Sequence, residues 1–169
     1  CTWGRADDLL PINCVSFAQA QRFCEWTGAR LPTEAEWERA ARGDDGRRYP
    51  WGNDEASCVN AVVAEGARRA CSRQGPEPVA TVGQSGPYGH HDLAGNVWEW
   101  TADWYGPSFY SESSTTNPRG PAGGGERVVR GGGWMAGDPS SVRTTHREGA
   151  EPDTHSPTTG FRCARNGVQ

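Results

Sequence analysis

Gly95-Asn96-Val97-Trp98-Glu99-Trp100-Thr101-Ala102-Asp103-Trp104 holds three of the eight tryptophans within ten residues. Residues 97–104 alternate in part and are rich in strand formers, which predicts a β-strand. Side chains two apart on a strand share a face, so Trp98 and Trp100 point the same way, and at least one of them belongs in the core. The same two, with Trp104 and Trp134, are also candidate walls of a cleft whose polar rim would come from Asn96, Arg143 and Arg147. Trp134, inside a glycine-rich run, is expected to be partly exposed.

Outward from this strand the order is uneven. Further strands are predicted over 79–82, 127–130, 142–146 and 160–164. Upstream, Ser16 followed by Gln19 forms a capping box, and Phe17, Ala20, Phe23 and Cys24 fall at helical spacing until Gly28. Thr33 and Glu36 repeat the device after Pro32, with Ala35, Trp37, Ala40 and Ala41 as apolar positions until Gly43. Beyond Gly43, Tyr49-Pro50-Trp51-Gly52-Asn53 is a turn and no helical period returns. The stretches 105–125 and 131–141 are glycine- and proline-rich, and loops of that length in a compact domain are functional or disordered. No repeat and no linker interrupts the chain, so residues 1–169 read as one α+β domain.

The composition agrees. Hydrophobic residues make up 34% of the chain, while glycine numbers 23, so the core must rest on a few large aromatics joined by irregular backbone. The net charge of -4, without runs of like charge, argues against nucleic acid or an anionic membrane as partner. All 17 basic residues are arginine, a pattern that reads as compositional bias ahead of dedicated anion recognition. No apolar run reaches the length of a membrane span. Six cysteines without a C-x-x-C pair suit disulfides better than zinc, which points to an oxidising compartment: secreted, periplasmic or cell surface.

Several short motifs then recur in a fixed order: Pro11-Ile12-Asn13-Cys14-Val15-Ser16, Arg30-Leu31-Pro32-Thr33-Glu34-Ala35-Glu36-Trp37-Glu38, Tyr49-Pro50-Trp51-Gly52, Gly95-Asn96-Val97-Trp98-Glu99-Trp100, Asp103-Trp104-Tyr105, Arg127-Val128-Val129-Arg130-Gly131-Gly132 and Gly160-Phe161-Arg162. Together, from residue 11 to 164, they resemble the formylglycine-generating (sulfatase-modifying factor) family. The resemblance implies an irregular, loop-rich fold related to C-type lectins, with two short helices and short antiparallel strands. Family members begin with an additional N-terminal stretch, so part of the family domain is expected to be missing here.

Six cysteines permit 15 pairings. The resemblance implies a bond between Cys24 and Cys163, leaving Cys1 with Cys14 and Cys58 with Cys71 as local pairs. It also implies calcium bound by Asp92, the carbonyls of Gly95 and Val97, and Glu99, an oxygen set that suits this ion. The competing reading is that Glu99 pairs with an arginine and Asp92 caps a turn. A second calcium site is represented only by Asn60 and the Ala61 carbonyl, and the missing carboxylate falls near Cys71, where a disulfide is the expected substitute.

In the family's enzymes two cysteines hold Cu(I) as thiolates, a ligand type suited to that soft ion. The matching positions here are Ala136 and Ser141, and the serine expected after the two glycines is Gly133. A second family disulfide is lost near Ala41 and residues 142–147. Copper-dependent oxidation is therefore not expected. Other chemistry has candidate residues: three of His90, His91, His146 and His155 as an iron site, Ser141 with His146 as nucleophile and base, and Glu148, Glu151 or Asp153 as acid or base. Each reads first as a loop or surface residue.

The expectation is thus a non-copper, calcium-stabilised binding or accessory module with a peptide or glycan groove made by Trp100, Trp134, Ser141, Arg143 and Arg147, on the loops after Tyr105 and Gly131. The alternatives are a nonheme-iron or metal-free oxidoreductase of the same family, completed by a partner domain, and a structural appendage of a larger surface assembly.

Overall fold

Ser16 and Thr33 each open a helix by the reciprocal bonding their sequences predict. Ser16 Oγ accepts from the Gln19 amide at 3.3 Å while Gln19 Oε1 accepts from the Ser16 amide at 2.9 Å. Thr33 and Glu36 do the same at 3.2 and 2.8 Å. Each cap contributes about 1 kcal/mol by satisfying amides that the first turn leaves open. Helix α1 runs Phe17–Trp26 and α2 runs Glu34–Arg42. Gly43, at φ 66°, ends α2 in a left-handed conformation that suits glycine.

The computed structural model describes residues 1–4, 7–64, 71, 75–83 and 85–167. Four strands follow the helices in the chain: β1 Trp98–Trp104, β2 Arg127–Arg130, β3 Arg147–Ala150 and β4 Thr159–Phe161. They form one mixed sheet in the order β3-β2-β1-β4, with β1 antiparallel to β2, β2 antiparallel to β3 and β1 parallel to β4. A third short helix, α3 Phe109–Glu112, and a 3-10 turn, Pro139–Val142, complete the elements.

Three sequence expectations change. Residues 79–82 form turns and bends, with Ala80 at φ 59°. Residues 142–146 carry the end of the 3-10 turn and a bend, and the strand starts only at Arg147; Pro139 and Asp138, whose carboxylate accepts from the Ser140 amide, set a turn where a strand was expected. Helix α3 falls in the stretch read as wholly irregular; four residues are too few to show a period. The sheet is also not purely antiparallel, because β4 returns beside β1 in parallel.

A helix packs on each face of the sheet, and the two faces differ in chemistry. On one, Phe17, Ala20 and Cys24 of α1 meet Trp100 and Val129, with the Phe17 ring edge-on to Trp100 at 6.1 Å. On the other, α2 meets the opposite side chains of the same strands, Glu99, Thr101, Asp103, Val128 and Arg130, all buried. Three disulfides, Cys1–Cys14, Cys24–Cys163 and Cys58–Cys71, consume all six cysteines as the sequence led us to expect. The Cys24–Cys163 bond joins α1 to the segment after β4 across 139 residues and is worth about 5 kcal/mol in the chain-entropy model.

Candidate functional site

The loop after β2 is built on positive-φ glycines. Gly132 sits at φ 73°, and a Cβ there would lie 2.5 Å from Val142 Cγ1. Gly133 has no room for a side chain either, with Trp98 Cδ1 and the Thr158 carbonyl both 3.2 Å from its would-be Cβ. The chain then delivers Ala136 to an apolar cluster with Tyr49, Ala61, Val63, Ala94 and Val142. Ser141 turns its hydroxyl back into its own turn, donating to the Asp138 carbonyl at 2.6 Å. Neither side chain is arranged to hold a soft metal, and with every cysteine in a disulfide no thiol is left for one.

The expected cleft is corrected. Trp100 is wholly buried and donates from Nε1 to the Val15 carbonyl at 3.0 Å, so it is core rather than wall. Trp134 is buried as well, at 8% exposure, donating to the Pro157 carbonyl, because the glycines before it fold it inward. Asn96 is buried and bonds both backbone groups of Glu77. Arg143 is exposed, whereas Arg147 turns to the α2 face. These residues do not share one groove.

The histidines are dispersed. His90 and His91 lie on an exposed loop, His155 Nδ1 is 3.0 Å from the Cys14 carbonyl, and His146 Nε2 is 3.1 Å from Glu148 and beside the Trp98 ring. Ser141 and His146 bond elsewhere and form no dyad. Glu151 and Asp153 are exposed. Among the described residues no three His, Cys, Asp or Glu side chains gather as a metal site.

The turn expected to hold calcium is tightly bent. Asp92, Gly95 and Asn96 all have positive φ, which turns the chain sharply before β1. Both competing contacts are formed as well: Asp92 Oδ2 accepts from the Ala80 amide at 2.7 Å, and Glu99 accepts from Arg162 Nε and Nη2 at 2.5 and 2.6 Å and from Trp37 Nε1 at 2.7 Å. Burial, with the nearby Glu99 charge adding to it, holds the Asp92 carboxyl above the usual range. Two carboxylates against one guanidinium leave a negative excess, so the donor set fits a hard cation bound by Asp92, the Gly95 and Val97 carbonyls and the remaining capacity of Glu99. At the second place, Asn60 is engaged with the Ser57 amide and the Glu55 carbonyl, and the Cys71 sulfur lies 3.3 Å from the Ala61 carbonyl.

The densest polar constellation is one that sequence reading missed. Glu34, fully buried at the start of α2, receives Arg147 through two bonds of 2.7 Å and approaches Arg130 at 3.4 Å. Arg130, also fully buried, donates to Glu38 at 2.8 Å and to the Thr144 and His146 carbonyls at 2.6 Å. Asp103 accepts from the Glu34 amide at 2.7 Å; burial, with the Glu34 and Glu36 charges adding to it, pushes its carboxyl up to about 6. Arg147 lies under the rings of Tyr105 and Tyr110, about 5.0 and 4.9 Å away. Acidic residues in a first helical turn ordinarily face solvent, so the only signal was Glu34 and Glu38 four apart beside Trp37.

Above this network the loop that follows β1 walls three cavities of about 510, 500 and 570 Å³ along α2. Arg30, Thr33, Glu36, Arg119 and Asn166 line both the first and the third. Ala35, Arg39, Thr115 and Pro118 line both the second and the third, so the three run into one trough.

Comparison with known proteins agrees with this architecture. A family model described as the sulfatase-modifying factor enzyme 1-like domain matches residues 3–167. The chain is 40% identical over 173 residues to the formylglycine-generating enzyme of Streptomyces coelicolor, covering 92% of this chain and 52% of that protein. It is equally similar, 40% over 164 residues, to a Mus musculus protein named inactive C-alpha-formylglycine-generating enzyme 2, covering 92% of this chain and 49% of that one. The solved structure of PvdO from Pseudomonas aeruginosa superposes with a TM-score of 0.77 at 24% identity, over 93% of this chain and 62% of that one, a likeness of fold. The chain spans about half the length of the curated relatives it matches.

Proposed function

The chain belongs to the sulfatase-modifying factor enzyme 1-like domain family, and from that premise we propose that it is a member without copper chemistry, a calcium-stabilised module that binds a peptide ligand outside the reducing cytosol. The observation that carries this is the pair Ala136 and Ser141, a methyl group in an apolar cluster and a hydroxyl bonded to its own turn, at the positions the family resemblance gives to copper thiolates. Three disulfides support the oxidising location. The relative named inactive is as similar as the one named an enzyme, so overall identity does not favour activity over its loss. The trough beside the loop after β1 supports binding in place of catalysis, since it offers guanidinia and hydroxyls fixed by a rigid helix and sheet.

Calcium would serve stability in this account: held at Asp92 and Glu99, it would neutralise the excess negative charge before β1 and fix the turn that starts the central strand. Because Glu99 also holds Arg162, Glu99→Gln would weaken the domain with or without the ion, and Asp92→Asn is the discriminating variant. The expected result is a higher Tm in calcium than in chelator for the unsubstituted protein and little difference for Asp92→Asn. An unsubstituted protein indifferent to calcium, or one purified with iron or copper near one per chain, would contradict the proposal.

A further inference from the structure

The trough crosses the carboxyl end of β1, bordered by α1 on one side and α2 on the other, and two of the arginines that line it differ from the rest in having no acid paired to them. Six arginines line it, Arg30, Arg39, Arg42, Arg119, Arg127 and Arg147, against the three carboxylates Glu25, Glu36 and Glu38. The protein as a whole carries -4. Four of the six are matched to acids: Arg30 to Glu36, Arg39 to Asp44, Arg42 to Glu38 and Arg147 to Glu34.

Arg119 and Arg127 are not. Among the described residues neither has a carboxylate within ion-pair distance, and both line the same 510 Å³ cavity. Arg127 is held rigidly, its guanidinium 4.1 Å over the Phe17 ring and 3.5 Å over the Trp104 ring, with one hydrogen bond, from Nη1 to the Ala102 carbonyl. Desolvation disfavours its charged form and the nearby Asp103 charge offsets this only in part, so an anion arriving beside it would relieve an electrostatic penalty still present in the fold. Arg119 is exposed on the opposing loop.

We propose that the trough binds an acidic peptide segment, with one carboxylate held between Arg119 and Arg127, the two lining arginines that no acid pairs. This rests on reading the domain as a peptide-binding module and names the ligand class. Guanidinium forks match carboxylates in bidentate geometry. The nine residues of α2 flanking the trough extend roughly 14 Å, room for about four residues of extended peptide. The interleaved carboxylates argue for a peptide over a densely sulfated glycan: Glu25, Glu36 and Glu38 tolerate spaced negative charges and repel a continuous array of them.

The test is fluorescence anisotropy on the full chain with a labelled Glu-Ala-Ala-Glu peptide, its Gln-Ala-Ala-Gln counterpart and a sulfated oligosaccharide, followed by a peptide array. Arg119→Gln removes a side chain with no bonded partner among the described residues, and Arg22→Gln, exposed on α1 outside the trough, controls for net charge. The expected result is tightest binding of the Glu-Ala-Ala-Glu peptide, weakened about tenfold by Arg119→Gln, as for loss of a charge-assisted contact, and unchanged by Arg22→Gln. Arg119→Gln without effect, or Arg22→Gln with equal effect, overturns the location. Tighter binding of the oligosaccharide overturns the ligand class. An array that captures only uncharged peptides overturns the acidic specificity and leaves the peptide-binding reading standing, whereas a blank array removes both.

Discussion

Asp103 shows how far a single residue can depart from what its type suggests. It is 2% exposed, its Oδ1 has no hydrogen-bond partner, and its carboxyl is pushed from 3.8 up to about 6. A carboxyl whose folded pKa lies above its unfolded value destabilises the fold when ionised. That cost is absent below about pH 4, grows as pH rises, and is complete above about pH 6. Asp103→Asn, which keeps an acceptor for the Glu34 amide, is therefore expected to raise stability at pH 7 by about 2 kcal/mol and to leave it nearly unchanged at pH 3.5. Urea denaturation at both pH values checks this; a loss of stability at pH 7 would mean that ionised Asp103 is instead a needed partner of Arg127. Residue chemistry of this kind is invisible in sequence, since Asp103 stands among strand formers with nothing to mark its burial. The identities of Ala136 and Ser141 were legible at once, because the absence of a thiol does not depend on packing.

Between elements, the contact that organises the molecule is α2 against the polar face of the sheet. Its capping box and its stop at Gly43 were readable, since local bonding fixes both ends. What the helix would press upon was not readable, and this explains the misplaced groove. The strand β1 was found within one residue and the shared face of Trp98 and Trp100 was correctly inferred, yet that face is the α1 side and is closed. The charged side chains belong to the α2 side, where buried Glu34 clasps Arg147 and neighbours Arg130. Removing one member of a buried ion cluster leaves its partners uncompensated. Glu34→Gln is thus expected to cost about 3 to 5 kcal/mol, visible as a lower denaturation midpoint. An effect below about 1 kcal/mol, as for an exposed pair, would show that the clasp is solvated.

Over the whole molecule, three disulfides and a four-stranded mixed sheet hold a chain that is otherwise largely turn and loop. The α+β class and the Cys24–Cys163 pair were legible because ordered motifs fix the register of the chain, and the other two pairs followed as the local partners that remained. The parallel return of β4, the inward fold of Trp134 and the trough over α2 were not, since long-range packing decides them. The chain has the family scaffold and no free cysteine, and its proposed binding surface is the arginine-lined trough instead of the loop after β2. Anaerobic titration of the purified protein with Cu(I), against a competing chelator of known affinity, tests the proposed absence of copper chemistry most directly. The account predicts no copper transferred to the protein; one Cu(I) taken up per chain with the three disulfides intact would contradict it.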